Sequence, residues 1–334
     1  MPSVSNRLES SLKLSRTPFR RRNHGDARQA HAADLRHRFW YYHQMYLMLI
    51  PGVVLLIVFR YIPIYGLVIG FKDYSFTRGI LGSDWVGLYY FDRAFSDVFF
   101  LRALRNTFVI SGLKLFVGFP IPILLALLLN EVYHQGIKRA FQTVTYFPYF
   151  ISWVVLSGLF LRIFAPGGPV NYVRAMFGAE NQLLFFAIPR YFLAIVVGTD
   201  IWRRMGYAAV IYLAALASID PQLYEAANID GAGRIRQSLH ITIPSLLPVA
   251  SILLILNMGF ILNAGFDQIF NMFNPLVLDV GEIIDTYVYK KGIVEFNYSY
   301  GAAIGFFKSV VGLVLIFLTN KIAVVFGGRD SSLW

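Results

Sequence analysis

The sequence predicts an all-α integral membrane protein of about six transmembrane helices, with a sharply capped polar loop on its cytoplasmic side. Three observations carry this expectation. First, 57% of the 334 residues are hydrophobic and only 15% charged, with a mean hydropathy of +0.56. Soluble domains run about half apolar and about a quarter charged. Second, apolar stretches of about 20 residues recur, each enough to cross a hydrocarbon core about 30 Å thick. They must be helical there, because lipid offers no partner to an unpaired backbone group. Third, the basic residues collect on one side of the resulting topology.

Residues 1–43 form a basic tail, with nine Lys and Arg, from Arg7 to Arg38, against three acids. A basic flank before the first span predicts a cytoplasmic N-terminus. Anionic lipid headgroups account for Arg20-Arg21-Arg22 without invoking nucleic acid. The apolar run starts too late and is too long for a cleaved leader, so an uncleaved anchor is expected. The transmembrane domain then covers 44–330, with spans at about 46–69, 107–129, 144–164, 191–217, 245–264 and 302–326. The fourth is the least regular, because Asp200, Arg203 and Arg204 interrupt it. On this topology fifteen Lys and Arg face the cytoplasm against eight acids, and the C-terminus is cytoplasmic too. External stretches 71–106 and 265–301 mix acids with aromatics, Trp85 and several Tyr among them, which suits interfacial anchoring or a platform for an external partner.

The loop 218–240 is polar and punctuated. Asp220-Pro221 reads as a helix start, since Asp accepts from orphan amides and Pro at the first position loses no hydrogen bond. Gly231 reads as the stop, because glycine enters the left-handed conformation without steric cost. A short helix over 221–230 follows. Ala226 and Ala227 keep one of its faces low, which permits close approach of another backbone, and Glu225 projects a carboxylate from the helix. A second helix carries Arg234 and Arg236, and Pro244 and Pro248 mark the entry to the fifth span.

The spacing Glu225-Ala226-Ala227, three residues, Gly231, nine residues, Ile241-Thr242-Ile243-Pro244 resembles the ATPase-docking motif of ABC-importer membrane subunits. Ile243 stands where that family usually has Leu. Trp85-Val86-Gly87-Leu88 and Asn106-Thr107 resemble segments around the second span of carbohydrate permeases. Arg60-Tyr61-Ile62-Pro63-Ile64-Tyr65-Gly66 and Phe147-Pro148-Tyr149-Phe150-Ile151-Ser152 resemble the branch for larger oligosaccharides and polysaccharides, which includes alginate permeases. The resemblance covers nearly everything from about residue 40 onward.

It implies a permease subunit in the inner membrane that forms half of a translocation pathway. The partners it implies are a second, homologous permease chain, two copies of a cytoplasmic ATPase subunit, an external solute-binding protein and a saccharide substrate. Glu225, Ala226, Ala227, Asp230, Gly231 and Pro244 are then the docking residues. ATP and Mg belong to the ATPase subunits, with no cofactor or metal on this chain and no catalytic residue. The nearest thing to a P-loop agrees, because two Phe separate Gly305 from Lys308 where Lys must follow Gly directly.

Charges inside lipid are costly and usually face a cavity or a partner. The candidate pathway residues are Lys114, Tyr149, Trp153, Arg203, Asn257, Asn263 and Lys308, while Arg204 is expected to pair with Asp200 on its own helix. An excess of positive charge there suits an anionic substrate such as a uronic-acid oligomer. Two rival classes share the hydropathy. A secondary transporter needs no docking elbow, and a membrane-embedded transferase needs clustered acids or His. Four of the six His lie in the tail, as His24, His31, His37 and His43. The absence of cysteine excludes disulfides, thiolate metal sites and thiol nucleophiles.

Overall fold

The computed structural model describes residues 41–327, and side chains up to Val324. The basic tail up to residue 40 and the segment after Gly327 lie outside the described residues. The chain divides into two compact units, one ending at Tyr65 and the other beginning at Gly66. In the first, α1 (His43–Leu56) runs into a π turn at Ile57–Tyr61. The widened turn sits just before Pro63, whose missing N–H cannot close a regular helical turn.

The second unit opens with a two-stranded ribbon, β1 (Lys72–Asp73) antiparallel to β2 (Asp84–Trp85), in which Lys72 pairs with Trp85. These two-residue strands lie in the external stretch 71–106 expected between the first and second spans. Phe71 O accepts from both Val86 N and Gly87 N, which turns the chain at Gly87 (φ 62°). Helix α2 (Tyr89–Ser96) follows, and Tyr90 Oη donates to Asp73 Oδ1 at 2.7 Å. Burial and then that carboxylate push the Tyr90 phenol up to about 12.

Helix α3 (Val98–Gly118) begins at Val98 rather than Thr107, with Asp97 accepting from Phe99 N as its N-cap. The extra turns carry Arg102 and Arg105, whose charges hid them from a hydropathy reading. Arg102 pairs with Asp279 at 2.9 Å and the buried Glu282 at 3.4 Å, and Arg105 donates to Asp279 O at 2.8 Å. α4 (Pro120–Asn130) continues the span after Phe119. The third span is not one straight helix. α5 (Gln135–Tyr146) passes through a 3-10 turn at Phe147–Phe150, breaks at Ile151-Ser152 and resumes as α6 (Trp153–Ile163), bent by 102°. Pro148 tightens the turn, and Ser152 caps the new helix by accepting from Val155 N.

After α7 (Pro169–Met176), α8 (Pro189–Ala217) runs 29 residues, or about 44 Å. Its neighbours include α3, α4, α5 and the 147–150 turn, which makes it the axis of the unit. Gly206 lets α5 approach, since a Cβ there would collide with the Thr145 carbonyl. The short α9 (Pro221–Ile229) is followed by a continuous helical run, Arg234–Gly259. It comprises a first turn at Arg234–Gln237, a π turn at Ser238–Thr242 and α10 (Ile243–Gly259). The fifth span thus begins before Pro244 rather than after it, because the π turn accommodates the missing N–H. α11 (Phe266–Met272) leads through short turns to α12 (Tyr298–Gly327). α10 and α12 cross backbone to backbone, where a Cβ on Gly312 would lie 2.6 Å from Gly259 O.

Four helical stretches among the described residues are long and apolar enough to cross a membrane: His43–Phe71, Val98–Asn130, Arg234–Gly259 and Tyr298–Val324. The bent pair of α5 and α6 makes a fifth when taken as one span. α8 is long enough but carries Asp200, Arg203 and Arg204 near its middle.

The α5–α8 contact gives a direct test. Gly206→Ala should lower the unfolding temperature of the detergent-solubilised protein, with an overpacking cost of about 1–3 kcal/mol. Gly198→Ala on the same helix, where a Cβ meets nothing within 4 Å, should leave it unchanged. Equal melting of the two variants contradicts the contact.

Candidate functional site

Two features stand out from the helical scaffold, a polar elbow and a cavity whose lining includes charged side chains. In the elbow, Asp220 Oδ1 accepts from Gln222 N at 2.9 Å and Pro221 takes the first helical position. α9 ends in a Schellman motif. Gly231 adopts φ 75°, its N–H donates to Asn228 O, and Ala232 N donates to Ala227 O at 2.9 Å. The helix spans Pro221–Ile229, with Asp230 as its C-cap.

No residue of α9 is buried, and Ile229 is 87% exposed. Glu225 is exposed and makes no ion pair among the described residues, and Ala226 and Pro244 are exposed as well. Ala227 is half-buried. An unburied helix of this length is too short to persist on its own, so its placement depends on tethers. Gln237 Nε2 donates to Asn228 Oδ1 at 2.6 Å and to Ala232 O at 2.9 Å. Tyr224 and Thr242 hydroxyls share a hydrogen bond of 3.0 Å, and Arg234 bridges to Glu131 and Tyr133 at the end of α4. Sequence reasoning missed these tethers. The available signal was a pair of amide side chains, Asn228 and Gln237, flanking the glycine stop.

The cavity, of about 340 Å³, lies among α3, α4, α8 and α10. Lys114, Tyr149, Asn257 and Asn263 line it, as do Asp200, Arg204 and Tyr207. Lys114 is nearly enclosed, and its Nζ donates to Ala264 O at 2.8 Å and to Gln268 Oε1 at 2.5 Å, with Asp200 Oδ1 at 3.5 Å. Gln268 in turn donates to Val196 O and Thr199 Oγ1. Arg204 Nε meets Asp200 Oδ1 at 3.1 Å, yet its side chain stays 54% exposed. Tyr149 and Tyr207 stack in parallel, with ring centroids 4.1 Å apart and planes 3° from each other.

Three expected pathway residues do not line this cavity. Arg203 points the other way around α8 and donates to Tyr149 O at 2.9 Å and Ile151 O at 3.1 Å. Those carbonyls are left open by the break between α5 and α6, so Arg203 holds the bend and packs over the Tyr149 and Trp153 rings. Trp153 is buried in the core with Leu156 and Phe192. Lys308 forms an ion pair with Asp285, away from the cavity.

A polytopic helical bundle with an exposed, doubly capped elbow and a charged internal cavity is the architecture of a transport subunit. Residues 118–326 match the family described as binding-protein-dependent transport system inner membrane component, and the chain belongs to it. It is a permease component of an ATP-binding-cassette transporter.

Among its relatives is the polygalacturonan/rhamnogalacturonan transport system permease protein YteP of Bacillus subtilis (strain 168). It is 45% identical over 284 residues, covering 85% of this chain and 88% of that protein. A chain of a bacterial ABC transporter involved in the import of the acidic polysaccharide alginate superposes with a TM-score of 0.80. It is 35% identical, over 88% of this chain and 99% of that chain. The alginate transporter in complex with alginate pentasaccharide-bound periplasmic protein superposes equally well, with a TM-score of 0.80 and 35% identity over 88% of this chain and 98% of that one.

The Lys114–Asp200 contact is open to a double-mutant cycle. Asp200→Asn alone strands a buried ammonium and should cost about 3 kcal/mol of stability, while Lys114→Met combined with Asp200→Asn should recover most of it. Thermal unfolding of the three variants measures this, and additive losses contradict the pairing.

Proposed function

We propose that this chain is a six-span permease subunit that imports an acidic oligosaccharide or polysaccharide, driven by ATP hydrolysis on separate subunits. The observation that carries the coupling is the elbow. It presents at Glu225 a carboxylate with no ion pair among the described residues, and an exposed Ile229, on a helix that is capped at both ends yet has no buried residue. Such a surface suits a cleft on a partner, and the resemblance of 225–244 to the family's docking motif supports the ATPase as that partner. With the positive-inside orientation, the elbow and both termini face the cytoplasm.

The bent third span and the charged α8 complete six crossings. A second, homologous permease chain forms the other half of the pathway, two ATPase subunits bind ATP and Mg, and an external binding protein delivers the saccharide. This chain then does no chemistry. ATPase closure moves the elbow, and the elbow turns the pathway outward by rigid-body motion. The substrate reading draws on the polygalacturonan and alginate relatives and on the cavity, where two cations share one carboxylate.

Reconstitution with the partner permease, ATPase and binding protein tests this. Uptake of oligogalacturonate should require ATP. Glu225→Lys and Gly231→Val should each cut uptake about tenfold or more while the chain still inserts and assembles with the second permease, since a left-handed valine costs about 1–2 kcal/mol locally without touching the core. Gradient-driven uptake by this chain alone, or wild-type coupling in both variants, is the contrary result.

A further inference from the structure

We infer that Arg204 is a carboxylate-binding subsite for one uronate unit of the substrate, with Tyr207 and Tyr149 as the surface on which that sugar ring rests. The inference rests on the importer reading above and assigns its charge selectivity to one side chain. The argument begins with a charge imbalance. Asp200 is the acid lining the cavity, and it is shared by two cations, Lys114 at 3.5 Å and Arg204 at 3.1 Å. Lys114 is nearly buried and also held by Ala264 O and Gln268 Oε1, so its ammonium has no room for a ligand. Among the described residues lining the cavity, the surplus positive charge is therefore available at Arg204.

The geometry of that guanidinium is specific. Nε alone is engaged by Asp200, and the terminal Nη1 and Nη2 make no hydrogen bond among the described residues. Those two nitrogens form the fork that accepts a carboxylate in bidentate fashion. Arg204 sits near the middle of the 29-residue α8, with its side chain 54% exposed. An arginine at the middle of a long helix without a second partner would be costly against lipid, and it lines the cavity instead.

Tyr207 follows three residues later on the same face, about 5–6 Å away at the Cβ level, a spacing comparable to one pyranose ring. Its ring is stacked flat on Tyr149, whose backbone carbonyl is held by Arg203. The pair is thus a fixed apolar surface beside the fork. Asn257 and Asn263 line the same cavity and offer amide groups for hydroxyls.

The test uses the complete reconstituted importer and two probes, trigalacturonate and the same trisaccharide with its carboxyls reduced to alcohols. The wild type should favour the acidic probe about tenfold or more, the value of a charge-assisted bidentate contact. Arg204→Gln should bring the two probes to near parity, and Arg204→Lys, which keeps the charge but loses the fork, should fall between. Wild-type preference retained in Arg204→Gln overturns the subsite, as does equal transport of both probes by the wild type, and either result leaves the importer reading standing. Transport of neither probe by the wild type overturns both.

Should Arg204→Gln fail to assemble, a second readout replaces it, because the chain contains no cysteine. Asn257→Cys in the complete importer should be labelled by a maleimide about tenfold more slowly with trigalacturonate present. The reduced trisaccharide should protect little. Equal protection by the two probes overturns the subsite.

Discussion

Three charges within little more than one turn of a membrane helix must each be answered locally, and the way α8 answers them organises the whole unit. Asp200 turns toward α3 and meets Lys114. Arg203 turns toward the broken third span and takes up carbonyls that lipid leaves unpaired. Arg204 turns into the cavity. Asp200 and Arg204, four residues apart, share the cavity face and pair there, while Arg203 turns to a different surrounding. The helix that fails the apolarity expected of a membrane span is the one against which α3, α4 and α5 pack.

The bend in the third span and the cavity are linked through Arg203. The break between α5 and α6 frees the Tyr149 and Ile151 carbonyls, and the guanidinium that caps them also lies over the Tyr149 ring, 5.3 Å from its centroid. The same ring stacks on Tyr207 from α8. A backbone irregularity, its polar compensation and an aromatic surface of the cavity are therefore one construction. Close approach of α5 at Gly206 completes it, since no side chain there separates the two backbones.

The all-α class and the elbow were legible because their signals are local. Apolar length and the Asp220-Pro221 start and Gly231 stop are each read from a few adjacent residues, and α9 spans Pro221–Ile229 where 221–230 was expected. The beginning of α3 was not legible, because Arg102 and Arg105 read as loop until Asp279 and Glu282, far along the chain, neutralise them. Arg203 and Lys308 were read as pathway residues because composition marks a costly side chain without saying which way it points, and Trp153, read with them, packs into the core. Lys308 finds Asp285 and Arg203 finds carbonyls, and neither partner can be read from spacing alone. The short ribbon at Lys72–Asp73 and Asp84–Trp85 is shorter than any alternation pattern could reveal.

The glycine crossing of α10 and α12 has a mechanical meaning. α10 is joined to the elbow through the π turn at its first residues and pinned against Gly312 at its last, Gly259. Seventeen residues give it an arm of about 26 Å. A rod held at one end converts a tilt of about 10° into a displacement of about 4–5 Å at the other, given that length. α12 meets the same pin near its midpoint. The crossing thus joins the end of α10 far from the elbow to the middle of α12, so a tilt of α10 about it would be felt where α12 is packed most closely.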